Sequence, residues 1–554
     1  MATESVRGQD KCQSRMEFEF TTQDQTPAES TGSGKAVVRG QVQMHATLAR
    51  QASSARRREQ GSMNILLMGD FSGRESAGDD AAITPLGERR VRRIDIDNVE
   101  KVMADYAPQV RFPAGVVSDE DLVLQFRELE DFHPDELYRK LDVFQALRDT
   151  RQRLMDPATF ADTAARLQQW AAPPERTAAE DVDMAPGESE DGGSTFERLL
   201  GGKPSDTPAT RRTPSSSPSG GGGIDDLIRR IVEPHIVPAV DPQRDQLVSS
   251  IDDATGALMR AILHDQGFRA MEAAWRSVFD LVQNVESSEE LKLFLLDVTK
   301  EELAADIAAA PGDVTACGLY RLLVEKSMGM PGAEPWSVLV GDYAFGPGGD
   351  DIGLLSALAT IASHAGAPLL AAADPALLGC ESIGAMPNPT AWSGLDEESE
   401  ELWNWLRRSP QAMWLGLVLP RLLLRLPYGK NTEQLDSFGF EEIVSPSDHE
   451  SYLWGNGAFA CGRLIAESFV QRGWSMQLGD CLQIDEVPAH VYVEDGESKM
   501  KPCAEAYLSE RAMEAVLGRG PMVLVSFVNR NVVRLARFQS LSDPPRSLAG
   551  PWEG

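Results

Sequence analysis

Apolar runs of strand length alternate with amphipathic stretches of helix length along this chain, and the alternation predicts both strands and helices. The apolar run at residues 63–68 predicts a buried strand that leaves through the glycine turn at residues 69–73. One helix is predicted to begin at Pro134, because proline suits the first helical turn. Its apolar face is predicted to carry Leu137, Leu141, Phe144 and Leu147.

The same alternation continues from about residue 242 to residue 537. Residues 261–282 predict a single helix, and Thr299 and Glu302 form a capping box that begins another. Further strands are predicted at residues 122–127, 291–298, 337–340, 413–419, 491–493 and 522–527. Strands and helices interleaved in this way predict a mixed α/β, or α+β, fold.

Composition divides the chain into four parts. Residues 1–62 are rich in Gln, Ser, Thr, Gly and Arg, and they predict a disordered head. Residues 171–223 are rich in Pro, Gly and Ser, and they predict a flexible linker. Two parts remain that are predicted to fold, a first region at residues 63–170 and a second region at residues 224–554.

The charge balance excludes several classes of partner. The chain has 554 residues with 53 Lys+Arg and 85 Asp+Glu, and its formal net charge is −32. This field repels the phosphates of nucleic acids and anionic membranes. The arginine-rich stretches at residues 56–58 and 89–93 lack the interleaved aromatics of a base-stacking surface. No window is typical of a signal peptide or a membrane-spanning helix, so we expect a cytoplasmic protein with no nucleic-acid partner and no membrane insertion.

Enzyme motifs are not matched. The turn at residues 69–73 follows a strand, as a phosphate-binding loop does, but it lacks the G-K-[ST] ending, so a structural turn is favoured. The six cysteines occur singly and no histidine stands at ligand spacing from them. His449 lies between Asp448 and Glu450, but no nucleophile accompanies it and a structural role is favoured. We therefore predict no enzymatic activity, no catalytic, metal-binding or cofactor-binding residue, and no cofactor.

Two ordered sets of motifs resemble the two subunits of the contractile sheath of the bacterial type VI secretion system. The first region resembles the small subunit, called TssB or VipA, in L-L-M-G-D-F-S-G-R at residues 66–74, P-L-G-E-R at residues 85–89 and D-F-H-P-D at residues 131–135. The second region resembles the large subunit, called TssC or VipB, in H-D-Q-G-F-R at residues 264–269, L-V-G-D-Y-A-F at residues 339–345, G-L-V-L-P-R-L-L-L-R-L-P-Y-G at residues 416–429 and Y-L-W-G-N-G-A-F-A at residues 452–460.

This resemblance implies a fusion of the two subunits, with a contractile-tail-sheath-like large domain and an intertwined small-subunit-like region. In that family the two subunits polymerise into a hollow sheath around a tube of Hcp hexamers, and contraction of the sheath drives the tube out of the cell. The implied function is therefore that of a structural sheath component. The implied partners are sheath subunits (its own copies or full-length small and large subunits), the Hcp inner tube, the baseplate and a Clp-family ATPase.

Two features leave an alternative open. The small-subunit strands expected ahead of residue 63 are not recognisable, unless residues 16–20 supply one. The large subunit of the family is expected to continue beyond the motif at residues 537–541. The second region is therefore expected to be C-terminally shortened. The alternative is a non-polymerising sheath-like accessory or adaptor that binds sheath ends, the baseplate or the disassembly ATPase.

A short helix predicted at residues 224–231 is the candidate recognition element. The large subunit of the family carries an ATPase-recognition helix near its N-terminus, and this segment occupies the corresponding place. Its apolar positions recur at helical spacing, at Ile224, Leu227, Ile228 and Ile231. The competing interpretation is a helix that simply packs on its own domain.

Overall fold

The computed structural model describes residues 61–77, 84–115, 121–171, 228–235, 244–328 and 334–553. The described residues form two compact units. The larger unit contains residues 61–112, 121–139 and 259–553, and the smaller unit contains residues 113–115, 140–171, 228–235 and 244–258. The predicted head and linker lie outside the described residues, apart from residues 61, 62 and 171.

The strands of the described residues belong to one large sheet and three small ones. They are β1 (Met63–Gly69), β2 (Arg92–Ile94), β3 (Gln109–Phe112), β4 (Leu122–Gln125), β5 (Leu291–Asp297), β6 (Val338–Phe345), β7 (Leu369–Ala373), β8 (Leu415–Leu419), β9 (Leu422–Leu423), β10 (Trp454–Gly455), β11 (Gln483–Ile484), β12 (Val491–Glu494), β13 (Glu497–Met500), β14 (Met522–Ser526) and β15 (Val533–Leu535). The large sheet has nine strands in the order β11-β15-β14-β8-β7-β6-β1-β5-β2. The small sheets pair β9 with β10, β12 with β13 and β3 with β4.

The helices cover both faces of the large sheet and build the smaller unit. They are α1 (Arg74–Ala77), α2 (Val99–Tyr106), α3 (Pro134–Lys140), α4 (Asp142–Met155), α5 (Phe160–Ala171), α6 (described over residues 228–232), α7 (Arg244–Leu263), α8 (Gln266–Asn284), α9 (Lys300–Ala308), α10 (Gly318–Tyr320), α11 (Lys326–Met328), α12 (Gly349–Ala365), α13 (Glu397–Arg408), α14 (Gly457–Arg472) and α15 (Glu510–Arg519). A π-helical turn, Arg321–Glu325, joins α10 to α11. Among these helices none combines the length and apolarity needed to cross a bilayer.

The two faces of the large sheet pack against different helices. Leu66 of β1 and Leu339 of β6 share a core cluster with Leu355 of α12. Val340 follows Leu339 and therefore points to the opposite face. There, Val340 lies 3.0 Å from the place where a Cβ on Gly462 of α14 would stand. The larger unit is thus a three-layer α/β arrangement, and the predicted mixed α/β fold is confirmed.

Each of the predicted strands is present, with shifted ends. Residues 63–68 form β1, all of whose residues are buried, and residues 291–298 contain β5. Continuous apolar runs of this kind are typical of strands covered on both faces. The strand predicted at residues 337–340 is longer, because β6 reaches Phe345. Residues 413–414 belong instead to a 3-10 turn, Pro410–Trp414, and β8 begins at Leu415.

Two predicted single helices are wrong, because each is divided into two. The helix from Pro134 ends at Lys140, and Leu141 takes an extended backbone conformation (φ −82°, ψ 129°) before α4 begins. The helix predicted at residues 261–282 is interrupted after Leu263, and Asp265 caps α8 by accepting a hydrogen bond from the N–H of Phe268 at 3.0 Å. The apolar period continues through both breaks, so periodicity alone does not reveal them.

The predicted capping box at the start of α9 is confirmed. The Thr299 hydroxyl accepts a hydrogen bond from the Glu302 N–H at 3.1 Å, and the Glu302 carboxylate accepts one from the Thr299 N–H at 2.9 Å. This reciprocal pair satisfies two amide donors that the first helical turn otherwise leaves unpaired. It also fixes the Glu302 side chain beside the end of β5.

The smaller unit consists of helices. Helices α4 and α5 pack against each other, and Phe144 and Leu147 on α4 are buried. Arg151 of α4 is paired with Asp252 of α7, with 2.7 Å between Nε and Oδ1. Ile228 and Val232 of α6 are also buried.

Candidate functional site: the junction of the two regions

The first region supplies the strand that completes the sheet of the second region. Strand β1 lies between β5 and β6 and pairs with both in parallel. Its register with β5 runs from Met63 opposite Leu291 to Gly69 opposite Asp297. Strand β2, also from the first region, adds to the other side of β5 as an antiparallel edge strand. Without the first region, β5 and β6 have no strand between them.

Two arginines of the first region meet two carboxylates of the second region where β1 and β5 end. Arg89 Nη2 lies 2.6 Å from Glu302 Oε1, and Arg74 Nη2 lies 3.0 Å from Glu302 Oε2. Arg74 also pairs with the Asp297 carboxylate, and Arg89 donates to the Asp297 carbonyl at 2.9 Å. Burial raises the pKa of Glu302, but hydrogen bonds from Arg89, the Thr299 N–H and Arg74 outweigh it and bring this pKa to about 2. These four residues are the arginine–carboxylate network of the junction.

The glycine turn at residues 69–73 is held by carboxylates. The Asp297 side chain accepts hydrogen bonds from the N–H of Phe71 at 2.9 Å and from the Ser72 hydroxyl at 2.8 Å. The Asp70 side chain accepts from the N–H of Gly73 at 2.9 Å. A phosphate would therefore have to displace carboxylates that already occupy the amide donors of this turn. The geometry supports the structural turn that the sequence favoured.

Aromatic side chains of α8 also contact the first region. Trp275 is fully buried, and its indole N–H donates a hydrogen bond to the Phe71 carbonyl at 3.0 Å. Phe268 makes edge contacts with Phe126 and Phe132, which are stacked on each other with 4.1 Å between ring centroids. Edge and stacked contacts of this kind add to the free energy gained from burial alone.

A buried ion triad stands next to these aromatic residues. The Arg425 guanidinium lies between Glu272 of α8 and Glu442, with N–O distances of 2.7 Å to each carboxylate. Burial raises the pKa of Glu272, but the charges of Arg425 and Arg276 lower it below its usual range. Because removing three charges from water is costly, such a triad persists only where the geometry pairs all of them.

The segment after Arg425, residues 427–442, contacts the first region directly and is named the clamp loop. The Asp135 carboxylate accepts hydrogen bonds from the N–H groups of Asp436 and Ser437 at 3.0 and 3.1 Å. Tyr138 stacks on Phe438 with ring centroids 4.6 Å apart. The clamp loop is thus held at two points on α3 of the first region, at Asp135 and at Tyr138.

His449, Glu450 and Glu505 bring three possible metal-ligand atoms within 4.8 Å of one another. The guanidinium of Arg421 already supplies the positive charge, because it lies 2.9 Å from Glu450 and 2.6 Å from Glu505. His449 Nε2 is 3.1 Å from the same Glu505 oxygen, and its ring is stacked on Trp454. A metal ion would have to displace the Arg421 side chain, so this cluster fits the structural role favoured for His449.

The candidate recognition helix belongs to the smaller unit. Ile228 is buried, with 4% of its side chain exposed, and Ile231 is partly exposed. Ile224 and Leu227 lie outside the described residues. The neighbouring Val232 is fully buried, so part of the apolar face of α6 is withdrawn from solvent.

The pairing of the junction residues was not predicted from the sequence. Arg74 and Asp297 are 223 residues apart, and a pair so distant has no local signature. Arg425 is different, because it is the one charged residue in the apolar run at residues 422–426. A charge in such a run indicates a buried partner, and this signal was available.

Comparisons with known proteins find a match in each of the two regions. A family model of the VipB tail sheath N-terminal domain matches residues 245–542, and a family model of the type VI secretion system protein VipA matches residues 42–170. The chain is 32% identical over 306 residues to the type VI secretion system sheath protein TssC1 of Pseudomonas aeruginosa. The aligned part is 54% of this chain and 61% of that protein, so the chain spans about three fifths of the length of this curated relative.

Proposed function

Because the chain belongs to the VipB tail sheath family and carries a VipA region in the same polypeptide, we propose that it is a structural protomer of a contractile type VI secretion sheath. In this proposal the assembled sheath surrounds an Hcp tube and contracts to drive the tube out of the cell. The chain itself turns over no substrate and needs no cofactor.

The observation that supports this proposal most strongly is the shared sheet. A central strand from the first region and flanking strands from the second region form one sheet within the larger unit. A protomer that must repeat many times in a filament benefits from this arrangement, because both parts are delivered together at a fixed ratio.

The proposed partners are other sheath subunits, the Hcp tube and the baseplate. Repeated head-to-tail contacts that do not close into a ring produce a helical filament. The subunits in contact are either further copies of this chain or separate full-length small and large subunits.

The test is assembly in the electron microscope. The chain is expressed alone and together with full-length sheath subunits, and negative-stain images are searched for tubules that contain it. An Arg89→Glu variant, which reverses a charge of the junction, is expected to reduce incorporation, while Arg93→Glu on the exposed surface serves as the matched control. If the unaltered chain neither forms nor enters tubules, the sheath proposal fails.

A second candidate function is recruitment of a Clp-family ATPase through residues 224–231. Its support is the one-sided apolar pattern of Ile224, Leu227, Ile228 and Ile231. Since Ile228 is buried, binding would require this turn to leave the smaller unit. The sheath-associated ATPase is titrated with a peptide of residues 222–233 and with Leu227→Asp, Ile228→Asp and control Arg229→Gln peptides. Binding that is unchanged by both aspartates would count against recruitment.

A further inference from the structure

His133 of the first region faces the clamp loop, at a place where carboxylates of both parts converge. Its Nδ1 accepts a hydrogen bond from the N–H of Asp135 at 3.2 Å. Its Nε2 faces the Glu433 carboxylate at 3.7 Å, and 16% of the His133 side chain is exposed. An imidazole that accepts at Nδ1 carries its single proton on Nε2, so this geometry is that of neutral His133 with its N–H directed at Glu433.

The charged groups around His133 come from every element packed against it. Glu433 belongs to the clamp loop, Glu130 to the turn before α3, and Asp135 to α3 itself, with its carboxylate 3.8 Å from Nδ1. The ring edge of His133 meets Tyr428, with centroids 4.9 Å apart. Behind Tyr428 stand two guanidinium groups. Arg276 donates to the Tyr428 hydroxyl and Arg425 lies over its ring.

Protonation of His133 changes two of these contacts. A solvent proton added at Nδ1 removes the acceptor of the Asp135 N–H, and the new Nδ1–H can turn to the Asp135 carboxylate. That carboxylate already holds the N–H groups of Asp436 and Ser437, and it has lone pairs for a further donor. At the same time the positive ring attracts Glu433 on the clamp loop. The attraction of Glu433 draws the clamp loop towards the first region.

We propose that His133 is a pH-sensitive latch that tightens the clamp loop on the first region when it is protonated and loosens it when it is neutral. The latch is a property of the folded chain and does not depend on the proposed sheath function.

The direction of the pH dependence follows from the surroundings. The Glu433 carboxylate facing Nε2 raises the pKa of His133, burial lowers it, and the charges of Glu130 and Asp135 raise it, with a net increase. A folded-state pKa above the ordinary value of about 6.5 means that the latch contributes fully below that pH. The contribution is lost as the pH rises through the folded-state pKa.

Hydrogen exchange of the full-length chain tests the latch. Protection of peptides covering residues 430–440 is measured from about pH 6 to about pH 8.5, the range in which histidines titrate, after correction for the intrinsic pH dependence of exchange. We expect protection to fall with rising pH around the His133 pKa, which is measured in parallel by NMR. The fold-change should be at most the ratio of the unfolded-state to the folded-state acid dissociation constant of His133.

Three variants decide the outcome. His133→Gln and Glu433→Gln should each flatten the pH profile. If His133→Gln does not fold, Glu433→Gln tests the proposal in its place. His364→Gln is the matched control and should leave the pH profile unchanged. His364 is exposed, and among the described residues its ring contacts only the ring of Tyr320. A flat profile in the unaltered chain, or an unchanged profile in His133→Gln, would overturn the proposal.

Discussion

Arg89 and Glu302 connect the two regions through side chains that are mostly withdrawn from solvent, with 10% and 15% of their surfaces exposed. Replacing Arg89 by Met leaves the Glu302 carboxylate without its shortest partner. We expect this change to lower the free energy of unfolding by about 2 kcal/mol, the usual loss for a hydrogen bond to a charged group. Urea denaturation at neutral pH measures this loss.

The matched control is Arg93→Met. Arg93 faces Glu289 at 3.8 Å with both side chains exposed, and the expected loss is within about 0.5 kcal/mol. Equal losses in the two variants would contradict a special role for the junction pair.

The stability that the Arg89–Glu302 pair contributes depends on pH in the acid range. The folded-state pKa of Glu302 is about 2, below its ordinary value of 4.5. A lowered folded-state pKa contributes stability above the ordinary value, and that contribution is lost as the pH falls from about 4.5 towards 2. The difference in unfolding free energy between the unaltered chain and Arg89→Met should therefore shrink below pH 4.5, and a constant difference down to pH 3 would exclude this linkage.

Arg425 is expected to be the most sensitive charged residue of the larger unit. Arg425→Met removes the guanidinium that pairs with Glu442, while Glu272 keeps Arg276 at 2.7 Å, and both carboxylates are at most 2% exposed. Loss of one partner from a buried ion group typically costs about 3–5 kcal/mol. Denaturant titration or the yield of folded protein measures the effect. A loss below about 1 kcal/mol would mean that water reaches the triad.

At the scale of elements, the turn that follows β1 depends on Gly73. Gly73 has a φ of +80°, and a Cβ there would stand 2.0 Å from the Gln109 carbonyl oxygen. Gly312 has the same φ, but no atom lies within 4 Å of its Cβ position. Gly312→Ala should therefore cost only the left-handed backbone strain, about 1–2 kcal/mol, and Gly73→Ala should cost distinctly more. Thermal unfolding of both variants gives the comparison, and similar midpoints would show that Gln109 moves away at little cost.

Local features of the elements were predictable from sequence, and distant pairings were not. The capping box of Thr299 and Glu302 was found because its two residues are three positions apart. The breaks at Leu141 and Asp265 were missed because the apolar period runs through them. The position of β1 between β5 and β6 was not predicted, because pairing of Met63 with Leu291 leaves no mark on either segment alone.

For the candidate site, too, local features were predictable from sequence and distant partners were not. Arg425 could have been recognised as a buried charge, because it interrupts an apolar run. Its partner Glu272 could not, because α8 carries several charged residues and only packing selects one of them. Sequence therefore indicates that a buried ion group exists, and the fold decides which carboxylates complete it.

At the scale of the whole molecule, the two regions are joined by the β1 pairings as well as by the covalent linker. Residues 171–223 are predicted to be a flexible linker, whereas β1 pairs with β5 over seven residues and with β6 over four. We therefore expect the linker to be dispensable for holding the regions together once the chain has folded. A protease site placed at residues 215–219 allows the linker to be cut in the native protein.

After cleavage, the two fragments should elute together in size-exclusion chromatography and separate only in concentrated urea. The control is the same cleavage in a Leu67→Asp variant. Leu67 is fully buried in β1, so an aspartate there removes the strand from the apolar sheet and should let the fragments separate without urea. Because the two cleaved proteins differ at one side chain, their difference in elution reports on the burial of β1 in the sheet. Separation of the fragments of the unaltered chain under native conditions would show that the linker, and not β1, holds the protomer together.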